Sequence, residues 1–396
     1  MTGILDGSRI LDLGRHAAVP YGSLILADMG AEVIRIDRPG GEEDRRFGPL
    51  TPTGDSYAFQ ARLRNRKGIS LDIRSKKGKV IFRQLVSRSD IVMENFATEA
   101  KAIMGVDYES LKQANPRIIL VSVSAFGLDG PDAHRIGFDP IAQAVSGAMD
   151  TTGFPDGPPV RSSPAWVDYS TATHAALGAV LALWHRNKTG VGQMVDVSML
   201  DTAVALMSFM GWMIDSKVLG VERPREGNAS KYAWADSFQA NDGWVYISTV
   251  KNNIWHRFLK AIEREDVKDD PRFRTDWDRA HNREPINEIV IKWMADKTVA
   301  EVIDTLEKMR IPCAPINTIK DVLEEPQVQA REMMPEVYRE GIGTVPVTGT
   351  VLKFSETPGS ISRPAPLVGE HNEEIYCGLL GYSPDELNAL VQESVI

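Results

Sequence analysis

Cysteine is scarce in this chain. Only Cys313 and Cys377 occur among 396 residues, too few for a disulfide framework or a thiolate zinc site. Cys313 lies in the apolar run Ile311-Pro312-Cys313-Ala314-Pro315 and reads as a small buried hydrophobe. Long hydrophobic runs are missing too. The best candidate, Ala175 to Trp184, falls well short of the roughly 20 residues that span a bilayer, so no membrane partner is expected. The opening MTGILDGSRILDLG lacks the basic and then apolar stretch of a secretory leader, and a cytoplasmic protein is expected. Positive charge is in deficit: 45 Lys and Arg against 54 Asp and Glu give a net charge of −9. That argues against a general nucleic-acid binder, yet leaves room for an anionic small ligand on a local basic patch.

Several catalytic signatures are absent as well. The first strand-to-helix turn, Leu13-Gly14-Arg15-His16-Ala17-Ala18-Val19-Pro20, has one glycine where a dinucleotide fold wants G-x-G-x-x-G. Asp37 stands where a ribose-binding acid would, but by itself it does not make an NAD or FAD dehydrogenase. No P-loop and no G-x-S-x-G elbow is present, and the seven His residues do not fall at metal-ligand spacing, so no metal is expected. What remains for chemistry is a carboxylate.

What is there first is an alternation. Strands are expected at Arg9–Leu13, Ala31–Asp37, Gly68–Ile73, Asp90–Phe96 and Arg117–Ser124, with helices at Tyr21–Met29 and Lys77–Ser87 between them. This pattern implies an α/β fold, with a parallel sheet and helices on both faces. After about Arg223 the pattern changes to a strand, Trp244–Val250, followed by helices at Asn253–Arg264, Asn282–Ala295 and Val299–Met309. We expect a Rossmann-like large domain over residues 1–222, a smaller α/β domain over 223–322, and a return to the large domain over 323–396.

The block Thr151 to Met199 is the most informative stretch. A Gly/Pro-rich loop, GFPDGPP, runs into Asp168, which opens a long apolar helix closing on His185-Arg186. An acid in the first turn of a helix is either an N-cap or a poised nucleophile or base. His174, six residues on, is off the helical face of Asp168 and reads as a packed or interfacial side chain. Basic residues gather at Arg35, Arg38, Arg45 and Arg46, and again at Arg62, Arg64, Arg66 and Lys67. They are either a phosphate-binding patch or ordinary surface. Asn95-Phe96 adds an amide and an aromatic face at a strand end.

Together these segments resemble the class III CoA-transferases, the formyl-CoA transferase or CaiB-BaiF family. The blocks that carry the resemblance are LADMGAEVIRIDRPGG, RNRKGISLDI, DIVMENF, LKQANPRIILV, SAFGLDGP, IAQAVSGAMDTTG, the Asp168 block with HRNKTGVGQMVDVSM, IPCAPI and PLVGEHNEEI, in that order. The resemblance implies a large domain built from both chain ends plus a smaller domain, with two subunits threaded as interlocked rings. It implies a substrate pair of acyl-CoA and a small carboxylic acid, and it makes Asp168 the catalytic acid. Asp168 would attack the donor thioester, forming a mixed anhydride and then an aspartyl-CoA thioester. The implied CoA contacts are Arg38, Arg66, Lys67, Asn95, Phe96, Ala100 and Arg135, with His16, Ala17 and Ala18 in the turn over the thioester.

Departures from the family pattern narrow the substrate. Ala17 stands where enzymes acting on oxalate carry Gln, and Asn228-Ala229-Ser230-Lys231-Tyr232 replaces their consecutive glycines, so formyl-CoA:oxalate transfer is not expected. A donor such as succinyl-CoA is expected instead. Related α-methylacyl-CoA racemases pair the acid with a His in a G-H-D motif; here the motif reads Gly137-Phe138-Asp139, with His134 nearby. A racemase or epimerase, and a CoA-binding subunit of a heteromeric transferase, are the alternative readings. Trp166, Tyr169, Phe138, Tyr232 and Trp234 either line an acceptor pocket or fill a core, and Arg161 or Lys231 would suit a second carboxylate.

Overall fold

The structure, a computed structural model, describes residues 3–396; Met1 and Thr2, the start of the N-terminal stretch read above, lie outside it. The chain forms two compact units. The larger contains the residues up to Ala148, Arg161–Leu219 and Gln327–Ile396; the smaller contains Met149–Val160 and Gly220–Pro326.

The larger unit is built on six parallel strands: β1 (Arg9–Asp12), β2 (Glu32–Asp37), β3 (Arg66–Ser70), β4 (Ile91–Glu94), β5 (Ile119–Ser124) and β6 (Met194–Ser198). Their order across the sheet is β3-β2-β1-β4-β5-β6. Both faces are covered, which is why the strands read as nearly continuous apolar runs. Neighbouring residues go to opposite cores: Ile10, Val33 and Ile119 to one, Leu11, Ile34 and Leu120 to the other. The first of these cores packs under α1 (Ala18–Asp28) and α7 (Trp166–Thr189); the second packs under α3 (Lys76–Ser87), α4 (Thr98–Met104) and α5 (Tyr108–Ala114).

Small residues set how closely α1 and α7 meet. Ala172, Ala175, Ala176 and Ala179 form the buried face of α7. A Cβ on Gly22 of α1 would come within 2.9 Å of the Ala172 carbonyl oxygen.

The third strand is three residues out from the expected Gly68–Ile73 at its far end. The ladder stops where Asp37 faces Ser70. Leu71 and Ile73 are apolar because they turn down into the core from the loop, not because they continue the sheet. The first helix starts at Ala18 rather than Tyr21, since Pro20 sits in the first turn where its missing N–H costs no hydrogen bond.

The C-terminal segment returns to the free side of β3. The Gly68 N–H donates to His371 Nδ1 (3.1 Å), the Ser70 N–H donates to Asn372 Oδ1 (3.0 Å), and the Tyr376 hydroxyl donates to the Ser70 carbonyl (2.7 Å). The PLVGEHNEEI block is thus an edge cover, which keeps a parallel edge strand from pairing elsewhere.

The smaller unit carries a three-stranded antiparallel sheet, β7 (Ala235–Gln239), β8 (Trp244–Ser248) and β9 (Cys313–Pro315). Its core joins Trp234, Phe238, Trp255, Phe258 and Val290. Among the described residues no single helix is long and apolar enough to cross a membrane.

Candidate active site

Winding reverses between β1 and β4, so the loops leaving these two strands part at the carboxyl edge of the sheet, where open parallel sheets bind ligands. Asn95, just beyond β4, bridges this gap. Its Oδ1 accepts the Arg15 N–H and its Nδ2 donates to the Arg15 carbonyl, both at 2.9 Å. Arg15 in turn reaches Glu42 at 2.8 Å and lies 5.5 Å over the Phe96 ring. Phe96 is fixed from below: its N–H donates to the buried Glu94 (2.8 Å), whose other oxygen pairs with the buried Lys101 at 3.0 Å.

Arg15, Glu42 and Phe96 border a pocket of about 120 Å³. Leu13, Ile36 and Leu71 give it an apolar lining, Phe96 and Met104 a wall, and the exposed Arg38 and Arg74 two guanidinium groups. An apolar slot with a phenyl face and forked cations suits a flat heterocycle bearing phosphates.

Asp168 stands in the first turn of α7 but does not cap it. The N-cap is Ala165, which has no side-chain acceptor to offer. The capping carboxylate comes from elsewhere: Oδ2 of Asp139, in α6 (Asp139–Val145), accepts the N–H groups of Val167 (2.9 Å) and Asp168 (3.2 Å). Asp139 is buried, its Oδ1 accepts from Gln143 Nε2, and Gln143 Oε1 accepts the Ser162 N–H at 2.9 Å. No described residue hydrogen-bonds or ion-pairs with the half-buried Asp168 carboxylate. Burial first, and then the charge of Asp139, push it up to about 6.

His16 links the two places. It holds a left-handed backbone (φ 64°), a conformation that costs a non-glycine residue about 1 kcal/mol or more. Its ring stacks on Phe47 (5.5 Å) and meets Phe138 edge-on (5.6 Å), next to Asp139. The turn His16-Ala17-Ala18 therefore lies between the Arg15 side of the pocket and the Phe138-Asp139 side of the Asp168 turn.

Comparison with known proteins gives this geometry a context. A family model for CoA-transferase family III matches residues 5–372. The chain belongs to CoA-transferase family III. A succinyl-CoA–D-citramalate CoA-transferase of Chloroflexus aurantiacus is 33% identical over 99% of this chain and 98% of its own length. A succinyl-CoA:mesaconate CoA-transferase of Haloarcula hispanica is 35% identical, covering 94% of this chain and 96% of the relative. The crystal structure of a CAIB/BAIF family protein from Brucella suis superimposes with a TM-score of 0.86 at 30% identity, over 96% of this chain and all of that one. The protein is a family III CoA-transferase whose substrates are CoA thioesters and whose α/β fold is the one expected from the sequence.

Not all of the residues expected to touch CoA line this pocket. Arg66 and Lys67 open β3, so they lie at the end of the sheet opposite the pocket. Arg66 is fully buried, donating to the Pro20 carbonyl and to Ser23 Oγ (3.0 Å) and facing Asp12 at 3.5 Å. Lys67 pairs with Glu32 and with Glu374 at 2.7 Å. Asn95 spends its amide on the Arg15 backbone. Ala100, like Phe96, packs against the core, and Arg135 pairs with Asp132 on the surface (2.8 Å), outside the pocket lining.

The basic clusters are largely internal, since Arg35, Arg45 and Arg64 are buried against Asp37, Asp55 and Asp28. His134 and His174 are exposed, and Trp234 belongs to a core rather than a pocket. Sequence reasoning missed Arg74 and Met104 in the pocket and Asp139 behind Asp168. Arg74 had a signal, standing just past the third strand; Asp139 entered only as part of the Gly137-Phe138-Asp139 motif, with no sign of the N–H groups it caps.

Proposed function

We propose that this protein moves CoA from succinyl-CoA, or a closely similar donor, to an organic acid through covalent intermediates on Asp168. The observation that carries this reading is the Asp168 carboxylate itself, unpaired at a helix head beside a second buried acid. An Asp kept for structure is held by cations or N–H groups; this one is left free to attack.

The steps conserve the acyl bond. An Asp168 oxygen attacks the thioester carbonyl and the C–S bond breaks, giving an aspartyl-acyl anhydride and CoA thiolate. The thiolate attacks the aspartyl carbonyl and expels succinate, leaving an aspartyl-CoA thioester. The acceptor carboxylate then attacks that thioester, and the released thiolate takes the acceptor's acyl carbon, which restores Asp168. Every step exchanges one acyl bond for another, so water must be excluded and no metal is required.

Arg38 and Arg74 would hold the CoA phosphates and Phe96 with Met104 its adenine. The His16-Ala17-Ala18 turn would lie along the thioester. A succinyl donor is supported by the names of the two relatives above, both succinyl-CoA transferases. A homodimer of interlocked rings, with each larger unit built from both chain ends, is supported by apolar faces exposed on the isolated chain. These are Leu177, Leu181 and Trp184 on α7, and Phe209, Ile214 and Val218 in the stretch that follows β6.

The test is trapping. After succinyl-CoA and then hydroxylamine, mass spectrometry should find Asp168 converted to its hydroxamate. Turnover with Asp168 unmodified, or retained transfer by Asp168→Ala, would sink the reading.

A further inference from the structure

The acid behind Asp168 has no part in the chemistry just described, yet it is among the most enclosed carboxylates in the chain. Asp139 is 2% exposed and faces no cation among the described residues; its hydrogen bonds come from two backbone N–H groups of α7 and from Gln143. The head of a 24-residue helix is what holds its charge. In taking those N–H groups, Asp139 removes the partners that would otherwise solvate Asp168. Gln143, itself 1% exposed, ties Asp139 to the Ser162 N–H and so to the segment leading into α7.

We propose that Asp139 is a positioning residue that caps α7 from outside, keeping the Asp168 carboxylate bare beside a fixed negative charge that acylation of Asp168 relieves. This rests on the reading of Asp168 as nucleophile. When Asp168 attacks a thioester it becomes a neutral anhydride and its negative charge leaves on the CoA thiolate, so the repulsion with Asp139 disappears. The free enzyme is raised in energy relative to the acylated one, and attack is favoured.

Other groups around the turn do not supply this charge. Tyr21 of α1 lies edge-on to Tyr169 at 5.0 Å, the helix after β6 carries Asp201 in its first turn, and His16 packs on Phe138. Asp139 is the charge that acts on Asp168.

The experiment removes the charge and keeps the shape. Asp139→Asn does so alone. Asp139→Ser also removes the charge while keeping an oxygen acceptor for the α7 N–H groups, and protects the test if Asp139→Asn folds poorly. Two readouts are compared with wild type: titration of Asp168 by carbon NMR of carboxyl-labelled aspartate, assigned with Asp168→Asn, and the pH profile of kcat/KM.

The expected result is a downward shift of about one pH unit in both, with about a tenfold smaller fraction of enzyme recovered as the CoA thioester from succinyl-CoA. Titration of Asp168 at the wild-type pH in both variants would overturn the role of Asp139 and leave Asp168 as nucleophile untouched. A shifted titration with no acyl adduct even on wild type would instead overturn the nucleophile reading, and this role with it.

Discussion

Around β2, buried carboxylates are matched by guanidinium groups; at the head of α7, two carboxylates stand together with none. Arg35 lies 2.8 Å from both Asp37 and Asp44, and Arg45 reaches Asp37 at 2.6 Å and Asp55 at 2.8 Å. Burial alone would raise Asp37, but Arg35, Arg45 and Arg15 outweigh it and hold the carboxyl below its usual range. Asp168 is buried less completely and goes the other way, up to about 6, because burial and Asp139 act in the same direction. An acid that serves the fold is neutralised by partners, whereas an acid left without partners is a cost the fold carries for some other reason.

The two regions should therefore break differently. Asp168→Ala should abolish transfer, by at least about 10³-fold in kcat, while leaving thermal unfolding nearly unchanged. A loss of stability to match would make Asp168 one more structural acid. Arg35→Met should do the reverse. Stripping the cation from Asp44, and one of two from Asp37, leaves buried unpaired charge at Asp44 and should cost about 3–5 kcal/mol in urea unfolding. If Arg35→Met is as stable as wild type, the network around β2 is not holding the fold and the contrast fails.

The comparison also marks what a sequence can disclose. The covered parallel sheet was legible because strands alternate with helices and runs such as Ile118–Val121 are apolar on both faces, but the order β3-β2-β1-β4-β5-β6 was not read from the sequence. The Asp168 helix was legible from its run of alanine and leucine. The fate of the arginines was not, because their partners are distant: Arg64 meets Asp28 across 36 residues of chain, and Arg45 reaches the Pro366 carbonyl across 321. Nor does charge pattern tell a ligand-binding cation from a paired one: Arg66 and Lys67 stand at the amino end of the third strand in the expected and the observed bounds alike, and only the folded chain shows their partners Asp12, Glu32 and Glu374. The capping role of Asp139, noted only within Gly137-Phe138-Asp139, was hidden for the same reason, since the N–H groups it caps lie 28 and 29 residues further on.

Smaller effects are expected in the pocket. Arg38 and Arg74 are exposed, and each should contribute about 1–1.5 kcal/mol to phosphate binding. Arg38→Ala and Arg74→Ala should each raise KM for the acyl-CoA about tenfold with kcat nearly kept, and the loss should shrink at high salt. Arg66→Met belongs to the other region, and its damage should appear in unfolding rather than in KM. A KM effect for Arg66 matching that of Arg38 would mean the pocket extends where the folded chain has Pro20 and Ser23.

The smallest effect tests the cost itself. A carboxyl raised to about 6 binds its proton more tightly folded than unfolded, so its ionisation works against the fold. As pH rises from the ordinary carboxylate range through about 6, the folded chain loses this margin, and above that the loss is complete. Asp168→Asn removes the charge with little change of shape. It should therefore be more stable than wild type at pH 7–8, by about 1 kcal/mol once the partial exposure of the site is allowed for, and the gap should close towards pH 4. The same change at Asp37, whose carboxyl is held down by arginines, should destabilise at pH 7–8, because a neutral amide leaves buried Arg35 with Asp44 alone and buried Arg45 with Asp55 alone. Calorimetric scans of both variants across that pH range would show the two differences with opposite signs, and a common sign would mean that Asp168 is not under the electrostatic load its surroundings imply.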